Sequence, residues 1–480
     1  MNLKQATTRA LGVPCAALLL LSGCATTMAP KYSRPAAPVP AAWPAGPAYG
    51  ADAVKKPQKP LADIPWQEFF VDPQLRKLIA LALDNNRDLR VAVLNIERSR
   101  ALYQIQRSQL FPAVNATAGA NYQRVPADFT TTGNHATLKQ YSVGLGEVSY
   151  ELDLFGRVRS LKDQALEEFL ATEQARRSVQ ISLVSQVAES YLTLAADQDR
   201  LRIARDTQAS QQASYGLTRS RFNAGVASAL DLTQAQQSVE AARVDIARFT
   251  TLIAQDQNAL NLVVGSPAPP EFLPLRLNES LTALKDASPG LPSDVLLRRP
   301  DILQAEGQLR GANANIGAAR AAFFPRITLL SNVGFGSDSL AGLFKGGSFA
   351  WQFAPQISLP IFNAGSNTAN LKVAEVDRDI LVAQYEKAIQ GAFREVADAL
   401  AERGTINEQV AAQQALTDAT GESYRLSQAR YDKGIDSYLN VLFSQRSLYD
   451  AQQSLITVQL ARLANMVTFY KVLGGGGDTK

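Results

Sequence analysis

Very few residues in this chain have side chains suited to bond-making chemistry. The sequence has two cysteines, Cys15 and Cys24, and one histidine, His135. Histidine is the usual proton carrier near neutral pH and the commonest metal ligand. His135 lies in the polar stretch TTTGNHATLK, which reads as a solvated loop, so a hydrolase triad or a zinc centre is not expected. No glycine-rich phosphate loop and no paired-carboxylate signature is found. The chain is therefore read as no enzyme, with no catalytic residue, metal ligand or bound cofactor assigned. Cys24 is different, because its surroundings imply modification. Lys4 and Arg9 form a basic region, residues 11–21 an apolar run containing Pro14, and Ser22 and Gly23 lead into the cysteine. That run is shorter than the roughly 20 residues a membrane-spanning helix needs.

Leu21-Ser22-Gly23-Cys24 resembles the bacterial lipobox. The resemblance implies removal of residues 1–23 as a lipoprotein signal peptide and an N-acyl, S-diacylglycerol lipid (palmitate among its chains) on Cys24. Ala25, in place of Asp, implies sorting to the outer membrane. Several acyl chains hold where one is marginal. With Cys15 removed and Cys24 acylated, no disulfide or cysteine metal site remains. Loss of Lys4 and Arg9 lowers the net charge from +4 to +2, so no basic face calls for nucleic acid. Residues 24–61 are rich in Pro and Ala, which fixes them as extended rather than helical. Whether they form a tether or wrap along the body stays open.

The remainder states one plan twice, about 210 residues apart. DLRVAVLNIERSRALYQIQRSQLFPAV at 88–114 answers DILQAEGQLRGANANIGAARAAFFPRI at 301–327. In that alignment Leu110, Phe111 and Pro112 match Phe323, Phe324 and Pro325. LDLFG at 152–156 answers LPIFNAG at 359–365, and RFNAGVASALDLTQAQ from Arg221 answers RYDKGIDSYLNVLFSQ from Arg430. The period exceeds any solenoid unit, so this reads as a duplicated half-molecule, with a first repeat at 62–290, a second at 291–473 and a flexible tail at 474–480.

Each repeat holds two strand-like runs, at about 113–123 and 141–152 and at about 326–336 and 349–360. Val114, Ala116, Ala118, Ala120 and Tyr122 alternate with polar residues, as do Phe349, Trp351, Phe353, Ile357 and Leu359. Each run approaches the 9 to 11 residues that cross a bilayer as a tilted strand. A soluble four-stranded sheet fits the alternation too, but the outer-membrane address favours a barrel. Four strands cannot close, and open edges in hydrocarbon leave backbone groups unsatisfied. Three chains pooling their strands would supply twelve, which predicts a cyclic oligomer. Between the strands, residues 157–222 and 366–431 lack proline and predict helices of roughly 90 to 100 Å. Val239, Ala242, Ile246, Phe249 and Ile253 keep coiled-coil spacing. A soluble coiled-coil spacer would explain these helices but not the strands.

The stretch LLRRPDILQAEGQLRGANANIGAARAAFFPRITLL at 296–330 resembles the signature of the TolC-like outer membrane factors, in the lipoprotein branch serving multidrug (RND-type) efflux pumps. The resemblance runs from the lipobox to Gly477. It implies an α+β membrane protein: a homotrimer with a twelve-stranded outer-membrane β-barrel, four strands per protomer, continued by a long periplasmic α-helical barrel. It further implies a passive duct that docks onto a periplasmic adaptor and an inner-membrane RND-type transporter. Type I protein secretion and metal efflux are rival cargoes, and a non-conducting lipid-anchored tether is the remaining alternative. Arg298, Arg299, Pro300 and Asp301 read as a helix start with a structural role.

The resemblance places the pore gate at the helix tips, residues 223–236 and 432–445. The family's tyrosine–aspartate link there matches Tyr431 and Asp231. Its arginine falls at Asp436, so a second link does not carry over. An acidic ring position becomes Asn440. Where members of the lipoprotein branch place a leucine ring and, a turn deeper, an aspartate ring, this chain has Leu439 and Phe443. Rings of Leu439 and Phe443 imply an apolar gate that resists by dewetting and bulk. By the same resemblance Arg221, Gly225, Ser228, Arg430, Gly434 and Ser437 are the adaptor contacts.

Overall fold

The computed structural model describes residues 27–49, 63–131, 133–277 and 293–477. The signal peptide and the acylation of Cys24 expected from the sequence lie outside the described residues.

The chain order is α1 (Pro73–Asn85), α2 (Arg87–Ser108), β1 (Asn115–Val125), β2 (Ala136–Leu152), α3 (Arg157–Asn223) and α4 (Ala229–Val264), then α5 (Pro300–Ala321), β3 (Arg326–Ser337), β4 (Phe349–Ser358), α6 (Ser366–Asp432) and α7 (Tyr438–Val472). Helices α3 and α6 have 67 residues each, and α4 and α7 have 36 and 35. At 1.5 Å per residue the longer pair runs to about 100 Å.

Two compact units form, and each takes segments from both halves of the sequence. One comprises Met1–Ala36, Asn95–Thr172 and Gln304–Tyr385, the other Ala37–Leu94, Glu173–Leu303 and Glu386–Lys480. The boundary expected at 290/291 therefore does not separate compact bodies, because each half contributes both strands and helices.

The first unit is built on one antiparallel sheet in the order β1-β2-β3-β4. Its register sorts the side chains. Ala116, Ala118 and Ala120 stand opposite Leu145, Val143 and Tyr141. Val143 and Leu145 in turn face Phe335 and Val333, which face Phe349 and Trp351. One face is thus apolar, and Thr117, Gly119, Ser142, Gly144, Asn332 and Gln352 share the other. A bulge between Gly146 and Val148 restores the parity, so that Tyr150 and Leu152 pair with Leu329 and Ile327 on the apolar face. That face is open, with Trp351 72% and Ile357 68% exposed. A soluble sheet would cover such a row. Strand β2 starts at Ala136, five residues ahead of the run the alternation marks, and His135 is exposed just before it, as expected.

The described part of the Pro/Ala-rich segment, residues 27–49, wraps rather than dangles. In the first unit Arg34 forms a two-pronged bond to Glu306 (3.0 and 2.6 Å), joined by Arg310 (2.7 Å) and the Tyr32 hydroxyl (3.2 Å), while Asn313 donates to the Pro30 carbonyl. Burial alone would raise the Glu306 carboxyl, but Arg34 and Arg310 outweigh it and hold the group below the usual carboxylate range. In the second unit Ser293 donates to the Pro40 carbonyl and Trp43 stacks on Phe393 at 5.0 Å. Among the segment's described residues, 27–49, the one helical piece is a single turn of 3-10 helix at Pro47–Tyr49.

The core of the second unit gathers Leu75, Leu78 and Ile79 of α1 with Phe69, Phe70 and Tyr470. Phe69 and Tyr470 stack with centroids 3.9 Å apart. Asp72 caps α1 by accepting from the Gln74 and Leu75 amides, ahead of Pro73 in the first turn. The glycines expected to begin a flexible tail are packed instead. Gly475, Gly476 and Gly477 are buried, Gln180 donates to the Gly476 carbonyl, and a Cβ at Gly475 would strike the Tyr470 ring. Only glycine permits that approach. Arg299 has the structural role read from the signature: it grips Asp301 (3.0 and 2.7 Å), reaches Glu395 (2.8 Å) and donates to the Val472 carbonyl (2.8 Å). The coiled-coil seam forms as its spacing predicts, with Val239, Ala242 and Phe249 buried and Ile246 and Ile253 packed against the cluster of Leu201, Ala204 and Phe249.

Candidate functional site: the paired helix turns

The turn from α3 into α4 and the turn from α6 into α7 are both in the second unit, and their backbones are built alike. At the first, the Val226 amide donates to the Arg221 carbonyl and the Gly225 amide to the Phe222 carbonyl, both at 2.9 Å. At the second, Ile435 donates to Arg430 and Gly434 to Tyr431, again at 2.9 Å. This double bond is a Schellman cap, which needs a left-handed residue. Gly225 and Gly434 supply it at φ 75 and 73.

The side chains around the first turn form a capping box. The Ser228 hydroxyl accepts from the Asp231 amide (3.1 Å) while the Asp231 carboxylate accepts from the Ser228 amide (3.0 Å) and hydroxyl (2.7 Å). Arg221 lies 4.6 Å over the ring of Tyr431, which in turn tilts against Tyr438 at 5.3 Å. The tyrosine–aspartate link implied by the family resemblance does not form. Among the described residues no hydrogen bond joins Tyr431 to Asp231, because Asp231 is committed to Ser228 and the Tyr431 ring to Arg221 and Tyr438.

At the second turn Arg430 reaches across to Asp436 with two bonds, of 2.5 and 3.2 Å. Arg430 holds the Asp436 carboxyl below the ordinary aspartate range. Ser437 starts α7 with no side-chain cap. Its helix is anchored by packing instead. Tyr438, Val441 and Leu442 are buried with Ala235, and Tyr215, Tyr424 and Tyr431 close around them. Burial pushes the Tyr438 hydroxyl up to about 12.

This anchoring decides what α7 presents outward. Residues 438, 441, 442, 444 and 445 are buried, at helical spacing. Leu439, Asn440 and Phe443 therefore project from the opposite side, with Leu439 57% and Phe443 73% exposed. Phe443 is not packed between helices of its own chain. Of the residues expected at the gate, Leu439, Asn440 and Phe443 share one exposed face, whereas Asp231, Tyr431 and Asp436 brace the turns. Among the expected adaptor contacts, Gly225, Ser228, Gly434 and Ser437 are exposed at the turns, Arg430 is exposed but paired with Asp436, and Arg221 is half-buried on Tyr431. Tyr438, Tyr215 and Tyr424 were not anticipated. Their signal is the spacing of tyrosines at 424, 431 and 438, one every seven residues.

The residue-level picture agrees with comparisons to known proteins. A family model described as outer membrane efflux protein matches residues 78–266 and 291–475. The toluene efflux pump outer membrane protein TtgC of Pseudomonas putida is 50% identical over 458 residues, spanning 95% of this chain and 93% of the relative. Outer membrane protein OprJ of Pseudomonas aeruginosa is 44% identical over 469 residues, spanning 98% of this chain and 96% of the relative. Among solved structures, the open state of the Neisseria gonorrhoeae MtrE outer membrane channel matches with a TM-score of 0.84 at 37% identity, over 94% of this chain and 98% of that one. A chain with an open apolar sheet face, long helices and this degree of likeness belongs to the outer membrane efflux protein family, as the outer-membrane channel component of an efflux pump.

Proposed function

We propose that three copies of this chain pool their sheets into a twelve-stranded outer-membrane barrel, and that their long helices continue it as a periplasmic duct closed at the paired turns. The observation that carries this reading is the sheet: one face carries a mainly apolar band that includes exposed Leu145, Val333, Phe335, Phe349, Trp351, Phe353 and Ile357, the other is mainly polar, and β1 and β4 have open edges within the chain. Hydrocarbon accepts the first face, water the second, and only closure with further copies satisfies the edges. Lipid on Cys24 anchors the assembly to the outer membrane.

At the turns, three copies of Leu439 and Phe443 would line a constriction. An apolar ring of this kind blocks hydrated solutes by dewetting until the helices part. Gly225, Ser228, Gly434 and Ser437 offer two similar exposed turns per protomer to the hairpins of a periplasmic adaptor, which couples the duct to an RND-type transporter of the inner membrane. The cargo is apolar small molecules and drugs. Relatives at 50% identity are named for toluene, solvent and antibiotic efflux, which supports that class.

The test is complementation. Cells whose efflux pump lacks its outer-membrane component should regain tolerance to toluene and to hydrophobic antibiotics on receiving this chain, and purified protein should have the mass of a trimer. A trimer that reaches the outer membrane but restores no tolerance with any cognate adaptor would overturn the drug-duct reading.

A further inference from the structure

The mainly apolar face of the sheet ends in charge at one end only. Strand β1 follows α2 and turns back into β2 between Val125 and Ala136, so these residues lie at the end of the hairpin farthest along the strands from α2 and α3. On this face Ala116, Ala118, Ala120 and Tyr122 stand opposite Leu145, Val143, Tyr141 and Lys139, and the next pair toward the hairpin end is Arg124 opposite Thr137. Arg124 and Lys139 are therefore diagonal neighbours on one face, a spacing of about 7 to 8 Å that long side chains span. Both are exposed, and among the described residues neither forms an ion pair, not even with Asp128 or Asp338 of the two hairpin loops.

Two unpaired cations on a face that meets hydrocarbon need a reason. Such charges are costly at the bilayer midplane and cheap at the level of the headgroups. The rings beside them mark that level. Tyr122 and Tyr141 meet edge to face with centroids 5.9 Å apart and hydroxyls 2.6 Å apart, and tyrosine concentrates at membrane interfaces. In the neighbouring hairpin Phe344 packs on Phe335 at 5.5 Å, with exposed Lys345 next in sequence. The opposite end of the sheet is arranged differently. There Glu151 and Arg326 belong to the polar face and pair with each other, while Tyr150, Leu152, Ile327 and Ile357 share the apolar one.

The apolar face is also stepped beneath the cations. Ala116, Ala118 and Ala120 keep β1 low, and Leu145, Val143 and Tyr141 of β2 stand above them. The step leaves room for an extended hydrocarbon chain along β1.

We infer that Arg124 and Lys139 bind the phosphate of a lipid headgroup in the outer leaflet of the membrane, with one acyl chain of that lipid lying along Ala120, Ala118 and Ala116. This rests on the outer-membrane barrel proposed above, which turns the apolar face to lipid and the hairpin ends to the exterior. Arginine offers a phosphate two parallel N–H donors and lysine adds a point charge. The tyrosine pair and the alanine step select a lipid over free phosphate, because they add interfacial and apolar contacts that only a molecule with acyl chains can use.

The inference is tested by native mass spectrometry of the full-length lipidated protein, titrated in detergent with diphosphorylated lipid A, with dephosphorylated lipid A and with inorganic phosphate. Unsubstituted protein should hold the diphosphorylated lipid about tenfold more tightly than the dephosphorylated one, and Arg124→Gln with Lys139→Gln should abolish that preference. Lys372→Gln with Lys433→Gln, which removes the same charge elsewhere, should keep it, as should Lys139→Arg. If the double variant loses the native mass, each single variant reads the contact at one cation. A preference unchanged in a double variant of native trimer mass would overturn the site and leave the barrel standing. Displacement of the lipid by an equal concentration of inorganic phosphate would overturn the lipid assignment. Unsubstituted protein that fails to insert into outer membranes would overturn the barrel reading and the site with it.

Discussion

The turns at Gly225 and Gly434 share one backbone design and differ in how it is braced. Both use the same pair of cap hydrogen bonds and a left-handed glycine. At the first, a serine–aspartate box starts the next helix; at the second, Asn440 replaces that aspartate and Ser437 makes no side-chain cap. Arg430 finds Asp436 across its turn, whereas Arg221 finds Ala227 at the matching place and lies on Tyr431 instead. The second turn has exchanged a local polar cap for a buried tyrosine, and that exchange orients α7 with Leu439 and Phe443 outward. The two turns keep one backbone and both present a leucine outward, Leu230 and Leu439, but only the second adds an exposed aromatic, Phe443, where the first has Gln234.

The largest stability difference between the turns should appear at their first helical residues. Tyr438 is buried, while its counterpart Ala229 is exposed. Tyr438→Ala should cost about 3 kcal/mol and lower the denaturation midpoint, with Ala229→Gly costing about 1 kcal/mol or less. Equal losses would mean that the tyrosine cluster does not anchor α7.

Further along the same helices, the offset that matches Ser228 to Ser437 also matches Asp256 to Asn465. Asn465 donates to the Ala399 carbonyl and to Glu402, both at 3.0 Å. Asp256 is pushed up to about 6 by burial and by neighbouring Asp197. An aspartate ionises near pH 4 in the unfolded chain, so the folded state binds the proton more tightly. Its penalty therefore grows as pH rises from about 4 to about 6 and stays constant above that. Asp256→Asn should raise stability by about 1 kcal/mol at pH 7.5 after allowance for solvent screening, with no gain at pH 3.5, as read by thermal unfolding at the two pH values. A gain independent of pH would remove the proton from the explanation.

Smaller effects separate the caps. Ser228→Ala should cost about 1 kcal/mol and speed amide exchange at Asp231, while Ser437→Ala should cost no more than a few tenths. Smallest is the Arg430–Asp436 pair, whose arginine is exposed and whose aspartate is half-buried. Asp436 has its carboxyl lowered by Arg430, so the pair contributes above the ordinary aspartate range and is lost as pH falls through the folded value. The amide of Ile435 should exchange more slowly than in Asp436→Asn at pH 7, and the difference should vanish in acid and shrink in high salt.

Much of this architecture was readable before any coordinates. Alternation marked all four strands because each carries one mainly apolar face, and it failed at 136–140, where Thr137 and Lys139 fall on the apolar face and Leu138 on the polar one. Proline-free runs and left-handed glycines marked the long helices and their turns. The pairing of side chains at the tips was not readable, since Asp231 can bond a neighbour at three residues' distance as well as a tyrosine on another helix. The role of Tyr438 was hidden because its burial depends on Tyr215 and Tyr424 converging from other helices. The wrapping of residues 27–49 likewise depends on Glu306, far away in sequence.

The most direct test is single-channel conductance in planar bilayers, comparing unsubstituted protein with Phe443→Ala and with Gln234→Ala, the matching position on α4. An apolar gate predicts a small, mostly closed conductance that rises severalfold in Phe443→Ala and is unchanged in Gln234→Ala. Conductance unaltered by either substitution, in channels that remain trimeric, would contradict the apolar gate.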